Sequence, residues 1–386
     1  MAAPIVGAIN VVFWCLFVLL TVLCEEYSAL FENDYLTPYP SGQHGPKHSH
    51  RVTRYCQGVW YGDVTHESYP SHSNPQLELP LVEYKRYIKT LQITDNLSKD
   101  IVGHVSIINN PIRTISVLEP KHSNGCTEEM RETVRETAKQ KNCLVAINAG
   151  FFNTHTGSCL GNVVSDGRLV LDSQGIQNAH FGIREDGSLF FGYLSESDLV
   201  DKTNPFVQLV GGVVWLVRNG QSYVNTSRYI ECGDTEETGT VDEFIRVVAA
   251  RMAVGHDKDG RVVLIQVDGE TWKKGANLDE FAAFLIDLGI INAINLDGGG
   301  SATYVVNGTT INYPTDKCAG SDMYRCDRPV STVLCVHEPE CNPQNCSNHG
   351  DCVLGTCNCH EYWSGTSCDT LQCGTSNCGL YGNCTE

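Results

Sequence analysis

The chain has 386 residues, 41% of them hydrophobic, enough to bury one large core with small appendages. Its net charge of -18 opposes nucleic-acid binding. That function needs clustered Lys and Arg, and no basic run or interleaved aromatic stripe is present. Nineteen cysteines assign the chain to an oxidising compartment.

Ile5 to Cys24 is almost entirely apolar and gives way to Glu25-Glu26, so residues 1–24 read as a secretory signal. No Lys or Arg precedes the apolar run, and the run is long. An uncleaved signal-anchor is therefore the alternative. No later stretch is long and apolar enough to span a bilayer. Glycosylation acceptors at Asn96, Asn225, Asn307, Asn345 and Asn383 fit a luminal chain. Residues 25–78 are rich in His, Pro, Ser and Tyr without periodicity, as in a propeptide or a loosely ordered arm. Arg51-Val52-Thr53-Arg54 is a candidate processing site, with Cys56 placed to tie the new end to the body. His44, His48 and His50 lack a Cys or carboxylate at ligand spacing and read as solvated linker, not as a metal site.

A globular body is expected over 79–337. Strands rich in β-branched residues between turn signals are predicted at 101–108, 112–118, 144–147, 189–193, 213–217, 262–267, 293–296, 303–306 and 332–336. Asn307-Gly308 between two such runs is a hairpin cue. Two helices are predicted. Residues 127–141 repeat apolar side chains at Met130, Val134 and Ala138, with acids early and Lys late. Residues 278–288 place Leu278, Phe281, Ala282 and Leu285 on one face and stop at Gly289. Loops separate the helices, so strict βα alternation is absent. The expected class is α+β, with mixed β-sheets dominating and helices flanking them. Eight cysteines fall in the body or just before it, enough for four bridges, with Cys318–Cys326 a natural short loop.

The tail differs in kind. Cys341, Cys346, Cys352, Cys357, Cys359 and Cys368 follow the spacing C-x4-C-x5-C-x4-C-x-C-x8-C, with Gly350 and Gly365 at turns. This resembles an EGF-like module over 338–370. The resemblance implies the pairs Cys341–Cys352, Cys346–Cys357 and Cys359–Cys368. Cys373, Cys378 and Cys384 repeat the opening spacing, so a second module begins over 371–386. The sequence is expected to be a fragment or a truncated form.

The chemistry concentrates where strands end in small and polar residues. The run Ile294-Asn295-Leu296 stops at Asp297, followed by Gly298, Gly299, Gly300 and Ser301. Three glycines in a row let main chain approach a ligand and offer N–H groups as an anion nest. The strand 144–147 leads into Asn148-Ala149-Gly150-Phe151-Phe152. The strand 262–267 leads into Asp268-Gly269-Glu270, and Arg251 and Asn277 share short segments with Gly255 and Gly275. These side chains are expected to converge on one pocket. Each has a plainer alternative: Asp268-Gly269 an ordinary turn, Asn277 a helix cap, Arg251 a structural ion-pair partner, Phe151 and Phe152 core, Asn148 a partner for main chain.

Taken in order, Asn148-Ala-Gly-Phe-Phe, Arg251-x-Ala-x-Gly, Asp268-Gly, Gly275-x-Asn277-Leu and Asn295-Leu-Asp297-Gly-Gly-Gly-Ser301 resemble the motif series of the phosphodiester glycosidase family. Met252 departs from it, standing where a hydroxyl residue is usual. The resemblance implies a hydrolase that removes α-linked N-acetylglucosamine from GlcNAc-phospho-mannose on glycans of lysosomal enzymes, exposing mannose 6-phosphate. It also implies a Golgi protein held by a C-terminal membrane span. Under that expectation the catalytic group comprises Asp297 as base or nucleophile, Asp268 as second carboxylate, Asn148 and Ser301. Substrate is held by Gly298, Gly299, Gly300, Arg251, Asn277, Gly150, Phe152 and Glu270. A departing phosphomonoester is a stable anion, so a strong general acid is less needed than for ordinary glycosides. Retention or inversion follows from the carboxylate separation, ~5 Å against ~6.5–9.5 Å. No metal or other cofactor is expected, no H-E-x-x-H cluster being present. Oligomeric state stays open, a homo-oligomer included. The rivals are a metal-dependent phosphodiesterase breaking P–O, and a non-catalytic binding protein that uses its cysteine-rich modules.

Overall fold

Strand-forming segments of the body pair almost wholly with neighbours running the opposite way. In the computed structural model, residues 66–372 are described apart from 75–78, 95–96, 123–124, 174–177, 195, 232–233, 236–238, 321–322, 342, 344 and 354. Expectations for residues 1–65, Asn96 and Asn383, and the last three cysteines, lie outside them.

The central sheet has seven antiparallel strands. Their order is Gln221–Ser222, Trp215–Arg218, Ile290–Leu296, Arg251–Asp257, Val262–Val267, Leu97–Ile108 and Val82–Thr94. A five-stranded sheet runs Thr309–Thr310, Tyr304–Val306, Val145–Asn148, Val333–Val336 and Ile115–Leu118. Its hairpin turns at Asn307 and Gly308, at φ of 48 and 74, the paired left-handed geometry that Asn-Gly favours. A six-stranded sheet holds His66–Pro70, Ser188–Gly192, His180–Arg184, Phe206–Gly211, Val163–Ser165 and Arg168–Leu171. The protein is thus mostly β, with few and short helices, and the α+β label describes it only approximately.

One face of the central sheet packs against the other sheets through Phe181, Phe191, Trp215, Met252, Leu264, Leu296 and Tyr304. The other face is covered by the helices Leu278–Asp287 and Val241–Arg246 through Phe281, Leu285 and Ile245. Each such side chain contributes ~1.5–3 kcal/mol by leaving water. Leu278–Asp287 opens on a capping box between Asn277 and Glu280, and Gly289 follows at φ 82.

Two expectations change. The arm ends sooner than residue 78, because His66–Pro70 is an edge strand on Ser188–Gly192, with the Tyr69 ring 4.4 Å from that of His256. The helix expected over 127–141 shrinks to Val134–Ala138 plus one 3-10 turn. Glu132 instead exchanges both main-chain hydrogen bonds with Val330, at 3.0 and 2.8 Å, so tertiary pairing overrides local propensity.

Disulfides join Cys126–Cys159, Cys143–Cys335 and Cys318–Cys326 in the body, and Cys341–Cys352, Cys346–Cys357 and Cys359–Cys368 beyond it. Arg113 donates to the Gly355 carbonyl at 2.6 Å, and Lys141 bridges Asp166 and Glu340 at 2.9 and 2.7 Å, fastening the cysteine-rich tail to the body. Among the described residues no helix is long and apolar enough to cross a membrane. Asn225, Asn307 and Asn345 are exposed.

A buried histidine makes the fold acid-sensitive. His180 Nδ1 meets the Asn178 carbonyl at 2.6 Å, while Nε2 faces the Asn162 N–H and amide at 3.3 Å. A carbonyl only accepts and an N–H only donates, so the ring is neutral and its Nε2 has no room for a second proton. Burial lowers its pKa from 6.5 to about 4, against the raising effect of the Asn178 carbonyl. Between those values the unfolded chain binds a proton that the folded chain refuses. Stability present above pH 6.5 is therefore lost as pH falls toward 4, by about 3 kcal/mol. Denaturation midpoints between pH 7 and 4 should show a slope about one proton shallower in His180→Gln than in the parent. An unchanged slope would refute the assignment.

Candidate active site

The strand Arg251–Asp257 lies between the two strands that end in the key aspartates. Arg251 pairs with Val267 and Met252 with Leu296, so Asp268 and Asp297 emerge at the same sheet edge. Two interstrand spacings separate their backbones, about 10 Å.

Asp297 is half-buried, and its main chain is clamped from both sides. Its N–H donates to the Ala149 carbonyl at 3.0 Å, and its carbonyl accepts from Asn148 Nδ2 at 2.7 Å. Asn148 Oδ1 accepts from the Thr303 N–H at 3.0 Å. Asn148, 1% exposed, thus joins the two ends of the triple-glycine loop and spends its amide on main chain.

The loop is a 3-10 turn over Gly299–Ser301, not an open nest. The Gly299 N–H goes to the Ala250 carbonyl at 2.8 Å and the Ser301 N–H to Gly298 at 3.1 Å. Gly298 and Gly300 keep the loop's remaining N–H donors, among the described contacts. Gly299 takes φ 57, and a Cβ at Gly300 would collide with the Arg328 guanidinium and the Asp316 carboxylate.

Arg328 is the cation at this loop. It forms a fork on Asp316 at 2.6 and 2.9 Å and donates to Ser301 Oγ at 3.2 Å. With Asp316, Arg131, His155, Thr154 and Glu129 it lines an open cleft of ≈ 880 Å³. Arg251, the cation expected at the substrate, lies elsewhere. It is 3% exposed and donates to the carbonyls of Ala276, Phe244 and Val247.

Asp268 is held by its neighbours. Its carboxylate accepts from Gln266 Nε2 at 3.0 Å and the Tyr313 N–H at 3.3 Å, with His104 Nε2 at 3.7 Å. Burial raises its pKa, but these donors outweigh burial and leave it below 3.8. His104 is 2% exposed, with Nδ1 at 2.8 Å from the Tyr84 hydroxyl.

The remaining expected site residues divide. Glu270 is two residues beyond Asp268 and pairs with Lys273. Asn277 gives its Oδ1 to the Glu280 N–H at 2.8 Å as a helix cap. The Gly150 N–H bonds Thr332 Oγ1 at 2.9 Å inside the core. Phe152 is 6% exposed among Leu118, Val134 and Val333. None of these four lines the cleft, and Asp268, Asp297 and the Gly298–Ser301 loop are not among its lining residues either; the loop meets it through Arg328. Sequence reasoning missed His104, a mid-strand residue, and Arg328, which follows Ser301 by 27 positions with no glycine beside it. The one grouping of ligand atoms within 4.8 Å of one another, among the described residues, is Cys341, Cys346 and Cys357, whose sulfurs are spent in disulfides.

Comparison with known proteins adds a family. The phosphodiester glycosidase family matches residues 141–337. The chain is 48% identical over 342 residues to N-acetylglucosamine-1-phosphodiester alpha-N-acetylglucosaminidase of Mus musculus, covering 88% of this chain and 64% of that protein. The Homo sapiens protein of the same name gives the same identity and coverage. The chain thus spans just under two thirds of the length of these relatives. Among solved structures it is similar to the catalytic domain of the zebrafish protein of that name, auto-inhibited by pro-peptide. That match has a TM-score of 0.69 and 50% identity, and covers 80% of this chain and 99% of that one.

Proposed function

Since the chain belongs to the phosphodiester glycosidase family, we propose that it hydrolyses GlcNAc-1-phosphodiesters, releasing N-acetylglucosamine by breaking the bond between the anomeric carbon and the phosphate oxygen. Its substrates are GlcNAc-phospho-mannose units on phosphorylated high-mannose glycans of lysosomal hydrolases, and its product exposes mannose 6-phosphate. The observation that carries this reading is the meeting of Asp297 with a glycine loop whose Ser301 is held by an arginine.

Either water attacks the anomeric carbon while giving a proton to Asp297 as base, or Asp297 attacks as nucleophile and water then hydrolyses the glycosyl ester. In both, the bond to the phosphate oxygen breaks and the phosphomonoester leaves with the bonding electrons. Asp268 is the second carboxylate. The Gly298 and Gly300 N–H groups, Ser301 and Arg328 take the phosphate charge. Gly299 and Asn148 hold the loop that presents them. Arg251 and Asn277 support the substrate site indirectly, through the framework behind it. In the α-linked sugar the acetamido group lies cis to the leaving phosphate, which disfavours its own back-side attack. A protein group or water therefore does the work.

We further propose that residues 79–337 together with the edge strand His66–Pro70 form the catalytic unit, 338–370 an EGF-like module and 371–386 the start of another. The disulfides support a glycoprotein of the secretory pathway. Golgi residence and membrane association are the family's properties carried to this chain.

Hydrolysis of a synthetic GlcNAc-phospho-mannoside in ¹⁸O-water tests the reading. Label is expected in the released GlcNAc and not in the phosphate. Label in phosphate, with activity abolished by EDTA and restored by one divalent ion, would establish the metal phosphodiesterase instead. Binding of the diester without turnover would establish the binding protein.

A further inference from the structure

The turn that follows Asp268 carries a side chain that bond breaking does not use. Trp272 is 67% exposed and stands at φ 67. Bulky residues rarely take that left-handed backbone, and it persists only where the surroundings impose it. Here they do. The Trp272 N–H bonds the Val248 carbonyl at 2.8 Å, and Glu270 and Lys274 exchange two main-chain hydrogen bonds at 3.0 Å. Glycine or asparagine would sit at such a tip with less strain. The ring is therefore held out for something other than the turn.

Its surroundings are the glycine loop and the strand end that carries Asp268. Thr271, next in chain, has its hydroxyl 3.2 Å from where a Gly299 Cβ would lie. Tyr313 is 54% exposed, and its N–H donates to Asp268 at 3.3 Å. Lys274 Nζ lies 5.1 Å over the Tyr313 ring, which ties that ring to the same turn. Exposed aromatic surface thus borders both the carboxylate strand end and the triple-glycine loop.

We propose that Trp272, on the turn whose Lys274 covers Tyr313, is a stacking platform for one pyranose ring of the substrate, and so a specificity-determining residue. This rests on the carbohydrate reading above. A pyranose presents a face of axial C–H groups, apolar and faintly positive, which complements the electron-rich face of an indole. Hydroxyls on the ring's rim then stay free for polar neighbours such as Lys274 and Thr271.

The test is binding of N-acetylglucosamine and of methyl mannoside 6-phosphate, measured separately by ligand-observed NMR on the parent, Trp272→Ala and Trp272→Phe. One sugar is expected to bind about tenfold more weakly to Trp272→Ala, with affinity largely recovered in Trp272→Phe. The sugar affected identifies which half of the diester stacks. The proposal is overturned if the parent binds neither sugar, if Trp272→Ala binds both as the parent does, or if phenylalanine recovers nothing. A parent that binds sugar through Trp272 yet cleaves no diester would sink the hydrolase reading and leave the platform standing.

Discussion

Asp297→Asn is expected to fold as the parent does and to lose about 10³-fold in turnover of a GlcNAc phosphodiester. The substitution keeps the side chain's size and removes only its charge and basicity. Two hydrogen bonds that position residue 297 come from its main chain, to Ala149 and from Asn148, and asparagine retains both. Asp268→Asn should cost less. That carboxylate is already committed to Gln266, Tyr313 and His104, so it contributes chiefly a fixed negative field at the sheet edge. Paired measurements of kcat and thermal midpoint separate the two. Full stability with turnover within tenfold of the parent in Asp297→Asn would remove Asp297 from the reaction.

Both aspartates were visible in the sequence for one physical reason. A strand that ends in a carboxylate and glycine announces a place where main chain must come close to something. The antiparallel register that carries the two strand ends to one edge follows from burial on both faces of the central sheet. The arginine was not legible. Arg251 opens the strand run Arg-x-Ala-x-Gly and looks like a site residue, yet its guanidinium is turned inward to cap carbonyls around Phe244, Val247 and Ala276. Arg328 sits in a segment without strand or glycine grammar. It reaches the loop only because Asp316, in a short hairpin closed by Cys318–Cys326, grips it there. His104 looked like any strand residue, since a hydrogen bond to a partner 20 positions away leaves no periodic trace. The shortened helix has the same cause, because the extended pairing of Glu132 with Val330 is a long-range choice. Local pattern gave the strand ends, and long-range contact decided which cation serves them.

That exchange of arginines yields the second large effect. Arg328→Met is expected to lower kcat/KM for the phosphodiester by about 10²–10³-fold. Inhibition by a phosphomonoester should weaken in parallel, because the planar guanidinium that meets Ser301 is lost with the charge. Arg328→Lys should recover little, since an ammonium supplies charge but cannot span Asp316 and Ser301 as a fork does. Asp316→Asn should fall between, the arginine remaining but losing the ion pair that aims it. Arg251→Met should behave in the opposite way. It leaves buried carbonyls of Ala276, Phe244 and Val247 without donors and should cost about 3–5 kcal/mol of stability. Phosphomonoester inhibition of the protein that still folds should change little. Urea midpoints and inhibition constants on the two methionine variants distinguish these roles. Were Arg251→Met the variant that loses phosphate affinity, with Arg328→Met merely unstable, the sequence-level assignment of the phosphate cation would be restored.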